Sequence, residues 1–398
     1  MTDLFAKRMD NVHKSFIREI LKITENPEVI SFAGGLPHPD FFPVKAIADA
    51  TEHLLKKEGS TVLQYSTTEG YLPLREYIAA RYKKRFNITI SPDEILITNG
   101  SQQALDLLGK IFIDTGDHVL LERPSYLGAI QSFSLYKPQF HQVELMEDGV
   151  DIEALTDLLA QHPIKLFYGM PNFQNPSGIS YSEEKRHAVA DCLKQHNTIF
   201  IEDDPYGELR FQGTPLPSMR HYLGDQCVIL GSFSKTVAPA LRLGWICANP
   251  EIMEKLLVVK QASDLHSNYF AQRVVHQYLQ EHDLDDHIAL IQKTYGQQRN
   301  LMLQAITKYF PEEVSTTQPE GGMFLWVMLP EHLAAMDLLN YATELNVAFV
   351  PGEAFYVDKA RPNTLRLNFS NANAEQIEIG IKRLAQAIKR LLSEKVPA

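Results

Sequence analysis

Six short apolar runs, EILIT, HVLLE, KLFYGM, TIFIED, CVILGS and LGWICA, recur between residues 94 and 248, most of them separated by a helical pattern. Runs of this length, apolar at consecutive rather than alternate positions, mark strands buried on both faces. Burial on both faces demands a cover of helices above and below the sheet. The helical patterns at 102–113, 127–136, 151–160 and 182–196 supply that cover. The expected fold is therefore α/β, with one large, mainly parallel sheet.

The flanks read differently. Residues 14–24 set Ile17, Ile20, Leu21 and Ile23 on one helical face with Pro27 soon after as a stop, and further helices are expected at 44–57 and 73–85. Between them, ISFAGGLPHPDFFP is too rich in glycine and proline for regular structure and lets backbone approach a ligand. Residues 250–309 are continuously helical in pattern. A strand pair around GGMFLWVML, a helix near 333–345, the strand TLRLNF and a terminal helix from 373 then read as an α+β cap. The expected organisation is a large domain over 45–305 and a small, discontinuous domain made of 1–44 and 306–398.

Composition excludes more than it selects. With 38 Lys and Arg against 49 Asp and Glu, a net charge of −11, the average surface repels nucleic acid and anionic membranes. No stretch approaches the roughly 18 apolar residues of a membrane span, and the N-terminal MTDLFAKRMDNVHKSF carries no signal-peptide run. Cys192, Cys227 and Cys247 lie far apart in apolar stretches and read as reduced core residues. A cytoplasmic setting follows from both. The 14 histidines show no H-E-x-x-H or paired Cys/His spacing, so no metal site is expected.

In an open α/β sheet, ligands bind beyond the carboxyl ends of the strands. Here those ends read NGSQQAL, RPSY, PNFQNPSG, DDPYGEL and GSFSK. Gly100 and Ser101 open a helix whose unpaired N–H groups suit a phosphate, although a serine there is also an ordinary N-cap. Lys235 sits among small and apolar residues that would desolvate its amine, lower its pKa and free it for imine formation. Ser232 and Ser234 can donate to a phosphate, and Arg242 can grip it with its fork.

Asp203 and Tyr206, three residues apart, can both reach one heterocycle, the carboxylate at a ring nitrogen and the phenol at its edge. A helix N-cap is the plainer role for Asp203. Tyr126 offers a ring to stack and Asn175 an amide to hydrogen-bond, though such residues are often core aromatics and turns. Arg366 alternates with Leu365 and Leu367 on its strand and can clamp a carboxylate, or else make a surface ion pair.

Taken together these residues resemble the fold-type I, class I/II aminotransferases along nearly the whole chain. The resemblance rests on S-x-S-K with an arginine seven residues on, D-x-x-Y, Q-N-P-S-G and a late L-R-L strand, in that family's order. Within it, SFIREIL, SFAGGLP, QYSTTEGY, GSQQALDL, PSYLGAI and GGMFLW are similar to the 2-aminoadipate/kynurenine branch. The resemblance implies pyridoxal 5'-phosphate as cofactor, bound as a Schiff base on Lys235. It further implies that Asp203 pairs with the ring nitrogen, that Asn175 and Tyr206 bind the ring oxygen, and that Tyr126 stacks. Ser101, Gln102, Ser232, Ser234 and Arg242 would hold the phosphate, and Tyr65 the partner subunit's phosphate in a homodimer with shared sites. Asn175 and Arg366 would clamp the substrate α-carboxylate, Gly35 would lend backbone to the pocket, and Arg18 would meet acidic side chains. Ala240 replaces a glycine common among relatives, with the lysine-to-arginine spacing kept.

The implied reaction moves an amino group from an amino acid of 2-aminoadipate, aromatic or large aliphatic type to a 2-oxo acid, 2-oxoglutarate being the expected acceptor. Lys235 would carry the proton between the two carbon centres. A β-lyase or decarboxylase on the same fold, a module that binds the cofactor without turnover, and an unrelated α/β protein are the alternatives. Arg366 speaks against decarboxylation, and the joint presence of Lys235, Asp203 and Arg366 against inert binding. MocR-type regulators carry the same module behind a DNA-binding domain, for which residues 1–30 offer no room.

Overall fold

The computed structural model describes residues 4–9, 20, 26–357 and 361–394. The helix expected over 14–24 lies outside them except for Ile20, which is helical and buried.

A two-residue strand, β1 (Ile30–Ser31), precedes the main sheet. That sheet contains β2 (Ile95–Thr98), β3 (His118–Arg123), β4 (Gln139–Met146), β5 (Gly149–Val150), β6 (Ile164–Gly169), β7 (Ile199–Asp203), β8 (Cys227–Ser232) and β9 (Gly244–Cys247). Their spatial order is β2-β9-β8-β7-β6-β3-β4-β5. Strands β4, β3, β6, β7 and β8 are parallel to one another, whereas β5 runs antiparallel to β4 and β9 runs antiparallel between β8 and β2. Successive side chains leave opposite faces. Leu96, Leu121, Leu166, Ile201 and Leu230 therefore enter one core, and Ile97, Leu120, Phe167, Phe200 and Ile229 the other. This division explains why the sequence runs are apolar at consecutive positions.

Two expectations need correction. Residues 250–309 form three helices, Pro250–Asp264, Tyr269–Glu281 and Leu284–Tyr309, rather than one. Leu265 takes a left-handed φ of 64°, and Asn268 and Asp283 then cap the next two helices by accepting from Ala271 N and Asp285 N. Strand β4 was not expected at all, because QFHQVELM mixes polar residues into a strand that lies near the sheet edge and is buried only in part.

The C-terminal part contains β10 (Ser315–Thr316), β11 (Phe324–Met328), β12 (Val347–Ala348), β13 (Val350–Pro351) and β14 (Thr364–Asn368). Four of these make an antiparallel sheet in the order β10-β11-β14-β13, while β12 pairs with β1. The segment after residue 30 is thereby stitched to the C-terminal part. The helix Ala374–Glu394 packs along Leu284–Tyr309 and ties both to the main body.

At the N-terminal edge of the parallel strands, His118, His141 and His162 come together, although each lies 21 or more positions from the next. Burial and the two neighbouring imidazoles push His141 down to about 4. All three cysteines are unpaired; Cys227 and Cys247 are buried in strands and Cys192 is half-buried. No helix among the described residues is long and apolar enough to cross a membrane.

Candidate active site

Strands β2, β3, β6, β7 and β8 all end at one rim. Because β9 runs the other way, it begins at that rim and brings Arg242, two residues before it, to the same place. Gly244 pairs with Thr98 on one side and Ser232 on the other. This register gathers Gly100, Ser101, Ser232, Ser234 and Arg242.

Ser101 starts a helix running to Phe112, so the positive end of its dipole faces the cluster. Gly100 has φ 76°, and a Cβ on it would lie 2.6 Å from Arg242 Nη2. Arg242, itself at φ 53°, is exposed and donates to Asn99 O at 3.2 Å. The Ser234 N–H donates to Ser232 Oγ at 3.0 Å, which holds the S-F-S turn tight. Gln102 lies in the first helical turn, but its side chain donates to Gly128 O (2.9 Å) and Ser132 Oγ (2.7 Å). It braces the Tyr126 loop, and Tyr126 OH in turn reaches Gln102 Oε1 at 3.5 Å.

Asp203 ends β7 and is 2 % exposed. Its Oδ2 accepts from Tyr168 OH at 2.7 Å. Burial pushes its carboxyl up to about 7, Asp204 and Glu122 add to the rise, and the Tyr168 hydroxyl opposes it. Asp204 points elsewhere, accepting from Asn172 Nδ2 (3.0 Å) and Gly207 N (2.9 Å). Tyr206 is buried, its phenol held well above the usual range by burial, with the Asn175 amide hydrogen-bonded to it. Burial and the nearby Asp203 push the Tyr126 phenol up to about 12.

Lys235 follows β8 and is half-buried, with its Nζ donating to Gly35 O at 2.7 Å. Its amine lies 5.9 Å from the centre of the Tyr206 ring. Enclosure of that amine, then Arg366, then Arg242, push it down to about 8. Arg366 on β14 is 3 % exposed and lies between two rings, 4.3 Å from the centre of Phe324 and 5.2 Å from that of Phe355. It donates from Nη1 to Asn175 Oδ1 (2.7 Å) and from Nη2 to Ala33 O (2.8 Å). Burial pushes it down to about 10 despite Tyr206 and Tyr126. Gly35 is held close under Phe324, whose ring would be 3.1 Å from an added Cβ.

One of the residues singled out from sequence, Tyr65, does not join this cluster in the single chain. Tyr65 is 79 % exposed and meets His266 edge-on at 5.7 Å. Arg18 lies outside the described residues. Conversely, Tyr168, Phe324 and Ala33 belong to the site and were not foreseen. For Tyr168 a signal existed only in the pairing: it stands opposite Ile201, two residues from Asp203 and so on the same face.

Two polar atoms here are buried with no hydrogen-bond partner: Asp203 Oδ1 and Arg366 Nε. The first is an acceptor suited to a protonated ring nitrogen and the second a donor suited to a carboxylate. With the anion cradle at Gly100–Ser101, Ser232–Ser234 and Arg242, the residues fit a phosphorylated pyridine carrying a carboxylate-bearing partner.

Comparison with known proteins agrees. The family described as "Aminotransferase class I and II" matches residues 28–384. An aromatic-amino-acid aminotransferase of Thermococcus litoralis is 42% identical over 97% of this chain and 94% of its own. The multiple substrate aminotransferase of Thermococcus profundus superposes with a TM-score of 0.94 at 38% identity, covering 99% of each chain. The α-aminoadipate aminotransferase of Thermus thermophilus, complexed with N-(5'-phosphopyridoxyl)-L-leucine, does so with a TM-score of 0.92 at 40% identity, again over 99% of each. This chain is a member of the class I and II aminotransferases, a transaminase that works with pyridoxal phosphate.

Proposed function

We propose that the chain transfers the amino group of a 2-aminoadipate-type, aromatic or large aliphatic amino acid to 2-oxoglutarate, at a site centred on Lys235 and Arg366. The observation that carries this reading is the anchoring of both cations on one short segment. Lys235 Nζ is held by Gly35 O and Arg366 Nη2 by Ala33 O, so amine and carboxylate clamp face the same substrate. Burial keeps the guanidinium poorly solvated, and an α-carboxylate gains strongly from a charge-assisted fork there.

When bound, pyridoxal phosphate supplies an aldehyde that takes the amino group and a cationic ring that absorbs the electron pair left by the departing α-proton. Lys235, its amine depressed to about 8, would hold the cofactor covalently through Nζ and, when free, would take the α-proton and return it one carbon away. Asp203, its carboxyl raised to about 7, would hold the ring-nitrogen proton through its free Oδ1. Tyr206 and Asn175 would hydrogen-bond the ring oxygen, and Tyr126 would stack on the ring. Ser101, Ser232, Ser234, Arg242 and the first-turn backbone at Gln102 hold the phosphate. Tyr65, exposed on the single chain, reaches the phosphate in the other subunit of a homodimer.

Arg18 meets acidic donor side chains, while Tyr126 and Phe355 accept aromatic or aliphatic ones. Residues 45–305 carry the cofactor, and 1–44 with 306–398 form the smaller unit that brings Arg366. The three unpaired cysteines support a cytoplasmic setting.

A donor panel with 2-oxoglutarate as acceptor tests the proposal. The expected result is stoichiometric glutamate formation with 2-aminoadipate and with at least one aromatic or large aliphatic donor. Release of pyruvate or ammonia with no acceptor present, or turnover limited to small donors such as alanine, would overturn it.

A further inference from the structure

The edge of the main sheet opposite the Lys235 rim holds a second group of chemistry-bearing residues. His118 opens β3, His141 sits on β4, and His162 closes the helix Ile152–Gln161 just ahead of β6. Strand pairing explains the encounter. His118 stands opposite Gln139, two residues from His141, and opposite Ile164, two residues from His162. Positions two apart share a face. His118 and His141 therefore lie on one side of the sheet, the His162 ring packs against both, and all three are half-buried.

We propose that His118, His141 and His162 form a three-imidazole site for one divalent transition-metal ion, of which zinc is the representative. Ring centres are 5.0 Å apart for His118–His141, 5.5 Å for His118–His162 and 4.1 Å for His141–His162. One nitrogen from each ring lies within 4.8 Å of the other two. Nitrogens bound at 2.0–2.1 Å around a tetrahedral ion lie about 3.3 Å from one another. His118 Nδ1 and His141 Nε2, at 2.8 Å, already face one another within that spacing. Ring rotation of His162 closes the remainder.

The donor set selects the ion. Three imidazoles without thiolate or carboxylate suit zinc, copper or nickel rather than magnesium or calcium. Asp117, next to His118 in the chain, is held by Lys165 at 2.5 Å and is not free to join. A fourth position is left for water. Each ligating nitrogen must present its lone pair to the ion, so the hydrogen of the His118 Nδ1–His141 Nε2 contact passes to the outer nitrogen of its own ring. A strand length, about 17–20 Å, separates the site from the rim where the amino group moves. The ion would clamp β3, β4 and the entry to β6 together without touching substrate.

The test uses the holoenzyme without an affinity tag, stripped with chelator and equilibrated with zinc chloride. One zinc per chain is expected, with a rise in melting temperature. Cobalt in its place should give the intense visible bands of a four-coordinate site. His141→Ala should abolish both signals, and His162→Gln, outside the strands, should weaken zinc binding at least about tenfold. Transaminase turnover should be unchanged in each. The wild type failing to bind zinc, or the variants binding it equally, would overturn the site and leave the rings as a packing stack. If His141→Ala does not fold, His162→Gln decides alone.

Discussion

Replacing Tyr168 by Phe removes one oxygen from a fully buried ring and nothing else from the packing. That oxygen makes the 2.7 Å hydrogen bond to Asp203 Oδ2, while the other carboxylate oxygen has no partner in the protein. A hydrogen bond to a charged group contributes about 1.5–3 kcal/mol. Its loss falls on the anionic form of Asp203 alone. The carboxyl, already pushed up to about 7, should rise by roughly one to two further units at 1.36 kcal/mol each. Asp203 then pairs less well with a protonated ring nitrogen, and the ring becomes a poorer electron sink. The donor half-reaction, followed by single-turnover stopped-flow at saturating donor, should slow about 10- to 100-fold. The donor KM and the melting temperature should change little. A half-reaction within twofold of the wild type would refute the idea that Tyr168 sets the charge of Asp203.

Other outcomes follow from the same geometry. Lys235→Ala should lose the borohydride-trapped cofactor linkage and all proton transfer while retaining fold and phosphate contacts, whereas transamination near the wild-type rate would show that another base acts. Arg366→Gln should cut kcat/KM about 10- to 100-fold for every donor alike. A loss confined to acidic donors would instead place Arg366 at the side chain. The amine of Lys235, depressed to about 8, sheds its proton as pH rises through that value. Cofactor uptake by the stripped enzyme should therefore climb up to about pH 8 and then level off, while a rate still climbing at about pH 10 would mark an ordinary lysine.

Much of this protein could be read from local pattern. Each double-faced strand declares itself through consecutive apolar residues, and the strand ends carry Asp203, Asn175 and Lys235 in plain view. What local pattern omits is the partner across a strand. That Tyr168 supports Asp203 depends on the register of β6 against β7. That Arg242 reaches the rim depends on β9 running antiparallel. Residues 250–309 keep a helical period through both breaks, so only the caps at Asn268 and Asp283 divide them.

The sequence by itself determined the α/β class, the rim that carries the proposed site and most of the residues standing on it, because periodicity and strand-end residues are local properties. Tertiary structure alone decided the burial that depresses Lys235, the rings and carbonyl that grip Arg366, and the meeting of three histidines from distant segments. These are effects of desolvation and strand register, and both arise only when residues far apart in the chain are brought together.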